Sequence, residues 1–277
     1  MLGAEGIQLT DDQVEILLND LVDQHGYDFT NYSRASLKRR MARLMSNDRF
    51  VSFAEFRFRL RDDAEYFKRF VEQITVNVTE MFRDVHFYRT LRDEVLPQLA
   101  TKPVIRIWHA GCSTGEEVYS MAILLHEANL LSKSLLYATD INPAVLEKVR
   151  PGIFPLGAMK EYSENYIRSG GKRDFSSYYI AQYNSAKFDD FLSRKIVLAT
   201  HNLVSDGSFN EFQLIMCRNV MIYFDKPLQD RALHLFYESL EPLGFLALGS
   251  KETLKFTDIA KKFRQVENKE RIWKKMS

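Results

Sequence analysis

The sequence predicts an α/β protein in which a mostly parallel sheet follows a small all-helical N-terminal domain and carries an inserted antiparallel β-subdomain. Three observations predict it. Apolar residues recur at helical spacing through the first 80 or so positions. From about residue 100, short apolar runs alternate with longer helical stretches, and residues 151–200 break that rhythm. The expected boundaries are 1–80 for the helical domain, which is assigned substrate recognition, and 81–277 for the α/β domain.

The helical part is readable turn by turn. Thr10 with Gln13 forms a capping box, and Val14, Leu17, Leu18, Leu21 and Val22 follow at helical spacing until Gly26 stops the run. A second helix starts at Ser33, with Leu37, Met41, Leu44 and Met45 on one face and Arg39, Arg40 and Arg43 opposite. Ser52 with Glu55 is another capping box, opening an aromatic-rich helix through Leu60. A fourth helix covers Ala64–Ile74. Short helices joined by short loops predict a small bundle.

The α/β part reads as strand Val104–Trp108, helix Glu116–Ala128, strand Leu135–Thr139 and helix Pro143–Val149. Strand Phe212–Met216, helix Pro227–Leu240 and strand Phe245–Leu248 come later, and this alternation implies βαβ units. FRQVENKERIWKK predicts two short strands around Asn268-Lys269, an antiparallel edge. Within 151–200, SYYIAQY and RKIVLAT predict antiparallel strands rather than a crossover helix.

Bulk properties exclude some function classes. With 277 residues, 45% hydrophobic and 27% charged, the chain can bury a sizeable core. Its 38 Lys+Arg against 37 Asp+Glu argue against generic nucleic-acid or membrane-surface binding. The acidic start lacks a hydrophobic signal core, and no apolar run approaches membrane-spanning length. Cys112 and Cys217 follow no metal-ligand spacing and have no paired His, so no metal and no thiol nucleophile is expected. A reduced, cytoplasmic setting is expected.

The sharpest local signal is GCSTGEEVYS at 111–120. In an open parallel sheet, ligands bind beyond the carboxyl ends of the strands. Gly111, Ser113 and Gly115 allow a tight turn and close backbone approach there. A dinucleotide fingerprint would have glycine where Ser113 stands, and Glu116 and Glu117 lie where pyrophosphate would sit. Two carboxylates repel a phosphate ligand and welcome a cationic one, which favours S-adenosylmethionine over NAD. The same glutamates serve equally well as complements to a helix N-terminus. Asp140, roughly 25 residues on at the end of LLYATD, is suited to accept both ribose hydroxyls; it also fits a turn residue before Asn142-Pro143.

Separated motifs carry a family resemblance: TVNVTEMFRD (75–84), GCSTGEEVYS (111–120), ATDINPAVLEKVRPGIF (138–154), HNL (201–203) and CRNVMIYFDK (217–226). Together, across nearly the whole chain, they resemble the CheR-type chemotaxis receptor glutamate O-methyltransferases. The resemblance implies a class I methyltransferase (Rossmann-like) domain, with S-adenosyl-L-methionine as cofactor and S-adenosyl-L-homocysteine as product. It implies cofactor contacts at Asn77, Thr79 and Arg83, with Glu116 at the methionine end, Glu117 unresolved, and Asp140 on the ribose. It also implies Asn202 and Leu203 beside the adenine, and Arg218 and Asn219 beside the methionine portion. Tyr223 resembles a family tyrosine near the reacting methyl group, and Tyr223 or Arg83 is expected to orient the acceptor carboxylate. Read alone, Thr79 would be a helix cap, Arg83 a surface arginine and Tyr223 a core residue beside Ile222 and Phe224. The chain departs from the family pattern at Gly111, usually alanine or another small residue, and at Val118, commonly proline.

The implied reaction is methyl esterification of glutamate side chains on cytoplasmic chemoreceptor helices, serving chemotaxis adaptation. Arg39, Arg40 and Arg43 offer a basic face to such an acidic partner, or are an ordinary solvated face. A receptor C-terminal tail adding a strand to the β-subdomain is a further expected partner, found in only some members of the family. Nucleic acid and direct membrane insertion are not expected. Rival readings are the same chemistry on a receptor of a non-motility pathway, and a catalytically silent cofactor-binding module.

Overall fold

The computed structural model describes residues 9–25, 27–75, 78–267 and 269–276. Two compact units emerge, Met1–Asn77 with Tyr223–Arg231, and Val78–Ile222 with Ala232–Ser277.

The first unit is built on four helices, α1 (Asp11–His25), α2 (Arg34–Asn47), α3 (Phe53–Asp62) and α4 (Ala64–Ile74). Their starts follow the sequence signals. Thr10 and Gln13 bond reciprocally, with the Thr10 N–H donating to Gln13 Oε1 at 2.9 Å and the Gln13 N–H to Thr10 Oγ1 at 3.2 Å. Ser52 accepts from the Glu55 N–H, and Asp63 caps α4 by accepting from Glu65 and Tyr66. The predicted apolar stripes are the core: Leu17, Leu18, Met41, Met45, Phe56 and Phe70 are each at most 1% exposed. Gly26 lies outside the described residues; α1 ends at His25, whose ring stacks on Phe67 at 3.7 Å. Residues 31–33 pair with 223–225: the Ser33 N–H donates to the Tyr223 carbonyl at 2.8 Å and the Asp225 N–H to the Asn31 carbonyl at 2.9 Å.

The second unit opens with α5 (Val85–Thr90), a π-helical turn at Leu91–Val95 and α6 (Leu96–Leu99). It continues through β1 (Ile105–Ala110), α7 (Glu116–Glu127), β2 (Ser134–Asp140), α8 (Pro143–Val149), β3 (Ile153–Pro155) and α9 (Met159–Arg168). Next come β4 (Tyr179–Gln182), β5 (Ser185–Phe188), α10 (Asp190–Ser193), β6 (Ile196–Thr200) and β7 (Phe212–Cys217). Helix α11 (Lys226–Ser239), which begins in the first unit, leads into β8 (Leu240–Leu248), β9 (Phe263–Gln265) and β10 (Ile272–Lys275).

A seven-stranded sheet has the order β6-β2-β1-β7-β8-β10-β9; its first five strands are parallel, and β10 and β9 form the antiparallel edge. The expected α/β architecture is therefore present. Strand order reverses at β1, which lies between β2 and β7, so a crevice opens beyond their carboxyl ends. Helix α7 is buried along Val118–Leu125 because a second layer covers it: Tyr119 packs edge-on against Phe154 and Phe188, 5.3 and 5.7 Å away, on the small antiparallel sheet β3-β5-β4.

Two expectations for 151–200 need correction. The segment contains helix α9, which buries Met159, Tyr162 and Tyr166, so strands alone do not describe it. RKIVLAT does not join the antiparallel sheet either; β6 runs parallel to β2, with Leu136 opposite Ile196. Alternation within a segment identifies a strand, but its partner is set by which sheet edge is open, and that edge is formed by residues sixty positions away.

Candidate functional site

The loop after β1 needs its small residues. Gly111 and Gly115 have φ of +76° and +96°, and a Cβ on them would stand 2.5 Å from Val220 and 2.8 Å from Val149. Ser113 between them is also left-handed, at φ +50°. The Gly111 and Cys112 N–H groups donate to the Thr139 carbonyl at 2.8 and 2.9 Å, fastening this loop to the end of β2. Asp140 Oδ2 accepts from the Ser113 N–H and Oδ1 from the Asn142 N–H, each at 3.0 Å. Burial pushes the Asp140 carboxyl up, and these backbone donors counter that without any cation. Ser113 Oγ and Asn142 Nδ2 are buried without a partner.

The adjacent glutamates have opposite surroundings. Glu116, 6% exposed, accepts from the Thr114 hydroxyl at 2.6 Å and bonds Tyr162, yet none of its partners is cationic; burial raises its pKa. Glu117 faces His109 Nδ1 at 2.9 Å and Arg218 Nη1 at 3.2 Å. Burial alone would raise it, but His109 and Arg218 outweigh that and hold it below the usual carboxylate range. Arg218 also pairs with Asp84 at 2.7 Å, donates to the Arg83 carbonyl at 3.2 Å and lies 3.9 Å from the Phe87 ring centroid. Glu117 thus already faces a cation, Arg218, whereas among the described residues Glu116 faces none.

The turn after β7 has an internal anion. Glu252 accepts four backbone N–H bonds: Gly249 at 2.6 Å, Asn219 at 3.0 Å, Val220 at 3.0 Å and Met221 at 2.8 Å. These donors hold Asn219 left-handed at φ +62°. Sequence reasoning missed Glu252, His109, Asp84 and Tyr162. No spacing rule links them to the loops they brace; only the GEEVYS glutamates and the RN pair carried a local signal.

Other expected residues are placed as follows. Asn77 lies outside the described residues. Thr79 is half-buried, and Arg83 spends one N–H on the Val78 carbonyl at 3.3 Å. Asn202 accepts from the Val204 N–H at 2.9 Å in the loop after β6, and Leu203 beside it is buried; the His201 N–H donates to the Asp140 carbonyl at 3.2 Å, so this loop joins the end of β2. Tyr223 belongs to the helical unit, with Arg40 5.1 Å from its ring centroid. Arg39 and Arg43 are exposed and Arg40 is half-buried. Cys112 and Cys217 are buried and their thiols are pushed well up, so neither is a thiolate nucleophile.

Backbone strain concentrates in the same motifs. Of eight described non-glycine residues with positive φ, four are Phe82, Asp84, Ser113 and Asn219. Each costs roughly 1–2 kcal/mol, which the buried Met81 and Phe82 side chains and the Glu252 and Asp140 bonds offset.

These groups fit a nucleoside that carries an ammonium and no phosphate. Asp140 has lone pairs left for ribose hydroxyls, Ser113 Oγ and Asn142 Nδ2 remain unpartnered, and Glu116 is a buried carboxylate lacking a cation. Comparison with known families agrees. Residues 77–272 match the CheR methyltransferase, SAM binding domain, and residues 12–75 the CheR methyltransferase, all-alpha domain. A Pseudomonas putida protein named Cher3, described only provisionally as a methyltransferase, is 45% identical over 96% of this chain and 97% of its own. A chemotaxis protein methyltransferase of Listeria innocua is 32% identical over 83% of this chain and 85% of its own. Chemotaxis protein methyltransferase 2 of Pseudomonas aeruginosa is 36% identical over 80% and 77%.

Proposed function

The chain belongs to the CheR methyltransferase family and is an S-adenosylmethionine-dependent methyltransferase, and on that premise we propose that it esterifies glutamate side chains of chemoreceptors in the cytoplasm. When bound, the cofactor supplies an electrophilic sulfonium methyl group. Glu116 takes the cofactor ammonium, Asp140 its ribose hydroxyls, and Asn202 and Leu203 its adenine. The left-handed loop Gly111–Gly115 brings backbone against it. Thr79 and Asn219 supply short polar contacts. Glu117 and Arg218 act together as a neutralised brace at the methionine end.

The observation that carries this reading is the buried, cation-free Glu116 beside the backbone-solvated Asp140. The acceptor chemistry rests on a second point. A glutamate with a pKa of about 4.3 is ionised at neutral pH, so its oxygen attacks without a general base. The described site fits that: burial keeps its two thiols protonated. Arg83, with guanidinium N–H groups to spare, orients the acceptor carboxylate in line with the methyl group. Tyr223 is assigned to the reacting end from its motif.

Receptor recognition is assigned to the exposed Arg39 and Arg43 of α2 and to the small sheet. Strand β4 has one partner strand, and its Ile180 and the adjoining Tyr183 are 76% and 90% exposed, which supports addition of a receptor tail as a further strand. The test is transfer of labelled methyl to receptor cytoplasmic fragments, with and without their C-terminal tails. Label released by mild base is expected. Base-stable label, or no transfer by a chain that binds S-adenosylhomocysteine, removes the glutamate assignment.

A further inference from the structure

Arg39, Arg40 and Arg43 share one helix, but Arg40 has different work. Its Nη1 donates to the Ile74 carbonyl at the end of α4. Its guanidinium carbon lies 5.1 Å from the centre of the Tyr223 ring. Burial pulls this guanidinium below its ordinary pKa, and the Tyr223 hydroxyl opposes that shift. Arg39 and Arg43 stay exposed.

Tyr223 is held from the backbone side as well. Its carbonyl accepts from Ser33, the residue that precedes α2, at 2.8 Å. The neighbouring Phe224 bridges to Tyr32, their rings 5.0 Å apart. These bonds fix the Tyr223 backbone and leave its two side-chain torsions free. A cation against the ring face restricts those torsions. The Ile74 bond in turn fixes the cation, because a guanidinium anchored at one nitrogen has little freedom at the others.

We propose that Arg40 is a positioning residue for Tyr223, not a receptor contact like Arg39 and Arg43. The helical unit then does more than recognise substrate, since it sets the orientation of a phenol encoded some 180 residues later. The kinetic consequence rests on Tyr223 acting at the reacting methyl group; the conformational one does not.

Full-length protein labelled with 3-fluorotyrosine separates the two. Tyr223→Phe identifies the Tyr223 resonance. Arg40→Gln is expected to shift that resonance, Arg40→Lys to shift it less, and Arg39→Gln or Arg43→Gln to leave it in place. In methyl transfer, Arg40→Gln is expected to lower kcat roughly tenfold to a hundredfold, as for a misplaced catalytic group. Receptor KM should stay within about twofold, and the loss should vanish when Tyr223 is already Phe. An unmoved resonance in a folded Arg40→Gln protein overturns the proposal. So does a KM increase matching that of Arg39→Gln, with kcat losses that multiply with Tyr223→Phe. Should Arg40→Gln not fold, Arg40→Lys carries both arms. If the wild-type chain methylates no receptor, the activity assigned above fails while the resonance still decides the role of Arg40.

Discussion

Glu116 and Glu117 are neighbours on the first turn of one helix, yet they belong to opposite electrostatic regimes. The Arg218 region is compensated: Glu117 and Asp84 both pair with Arg218, and Glu117 is held low. The Asp140–Glu116 region is not, since burial raises both carboxyls and, among the described residues, no side-chain cation answers them. A satisfied buried charge maintains a fold, whereas an unsatisfied one reserves binding energy for a ligand of opposite sign. Substitutions in the two regions should therefore move different observables.

The largest effect is expected in the compensated region. Arg218→Met strands Glu117 and should cost about 3–5 kcal/mol of stability, the usual penalty for breaking a buried pair from one side. Urea denaturation measures it. The pH dependence has a definite sign. Glu117 is held low in the folded state, so its contribution is present above its unfolded pKa and is lost as pH falls through the folded value. Arg218→Met should flatten that acid limb. An unchanged denaturation midpoint would erase the distinction between the regions.

Glu116→Gln should behave in the opposite way. Ionising a carboxyl with a raised folded pKa counts against folding as pH rises through the interval up to that value, so neutral-pH stability should hold or improve. S-adenosylhomocysteine binding should weaken by about 1.5–3 kcal/mol, the range for a charge-assisted hydrogen bond, read by calorimetry. Wild-type affinity should decline on acidification through the raised Glu116 pKa, and the Gln variant should lack that decline. Loss of stability with binding intact would reverse the two roles.

A third regime gives the smallest effect. Arg39 and Arg43 are exposed, and among the described residues neither has an ion-pair partner. Reversing both to Glu should raise receptor KM by a few fold at low salt, about 0.5–1 kcal/mol, and the difference should shrink as ionic strength rises. Cofactor binding should not change. A salt-independent loss would mean these side chains are buried in the complex rather than steering it.

Much of this is legible in the sequence alone. The caps at Thr10 and Ser52, helix Pro143–Val149 and the glycine loop each rest on contacts within a few residues, where residue type and spacing are sufficient. The small residues of that loop are legible for a steric reason, because a Cβ at Gly111 or Gly115 would collide with Val220 or Val149. The regime of each glutamate was not legible. Glu117 is set apart by Arg218, a hundred positions away, and nothing in EEVYS distinguishes the pair. Helix α9 is masked in the sequence by its strand-rich flanks, although Met159, Tyr162 and Tyr166 fall at helical spacing.

The sequence by itself determined the four N-terminal helices, the main strand-helix alternation, the need for small residues after β1 and the presence of acid there, since these follow from local sterics and periodicity. Only the tertiary structure decided which acid is spent and which is free, that β6 closes the large sheet, and that Arg40 meets Tyr223 rather than solvent. Coulomb energy and burial depend on distance in space, and that distance is unrelated to separation along the chain.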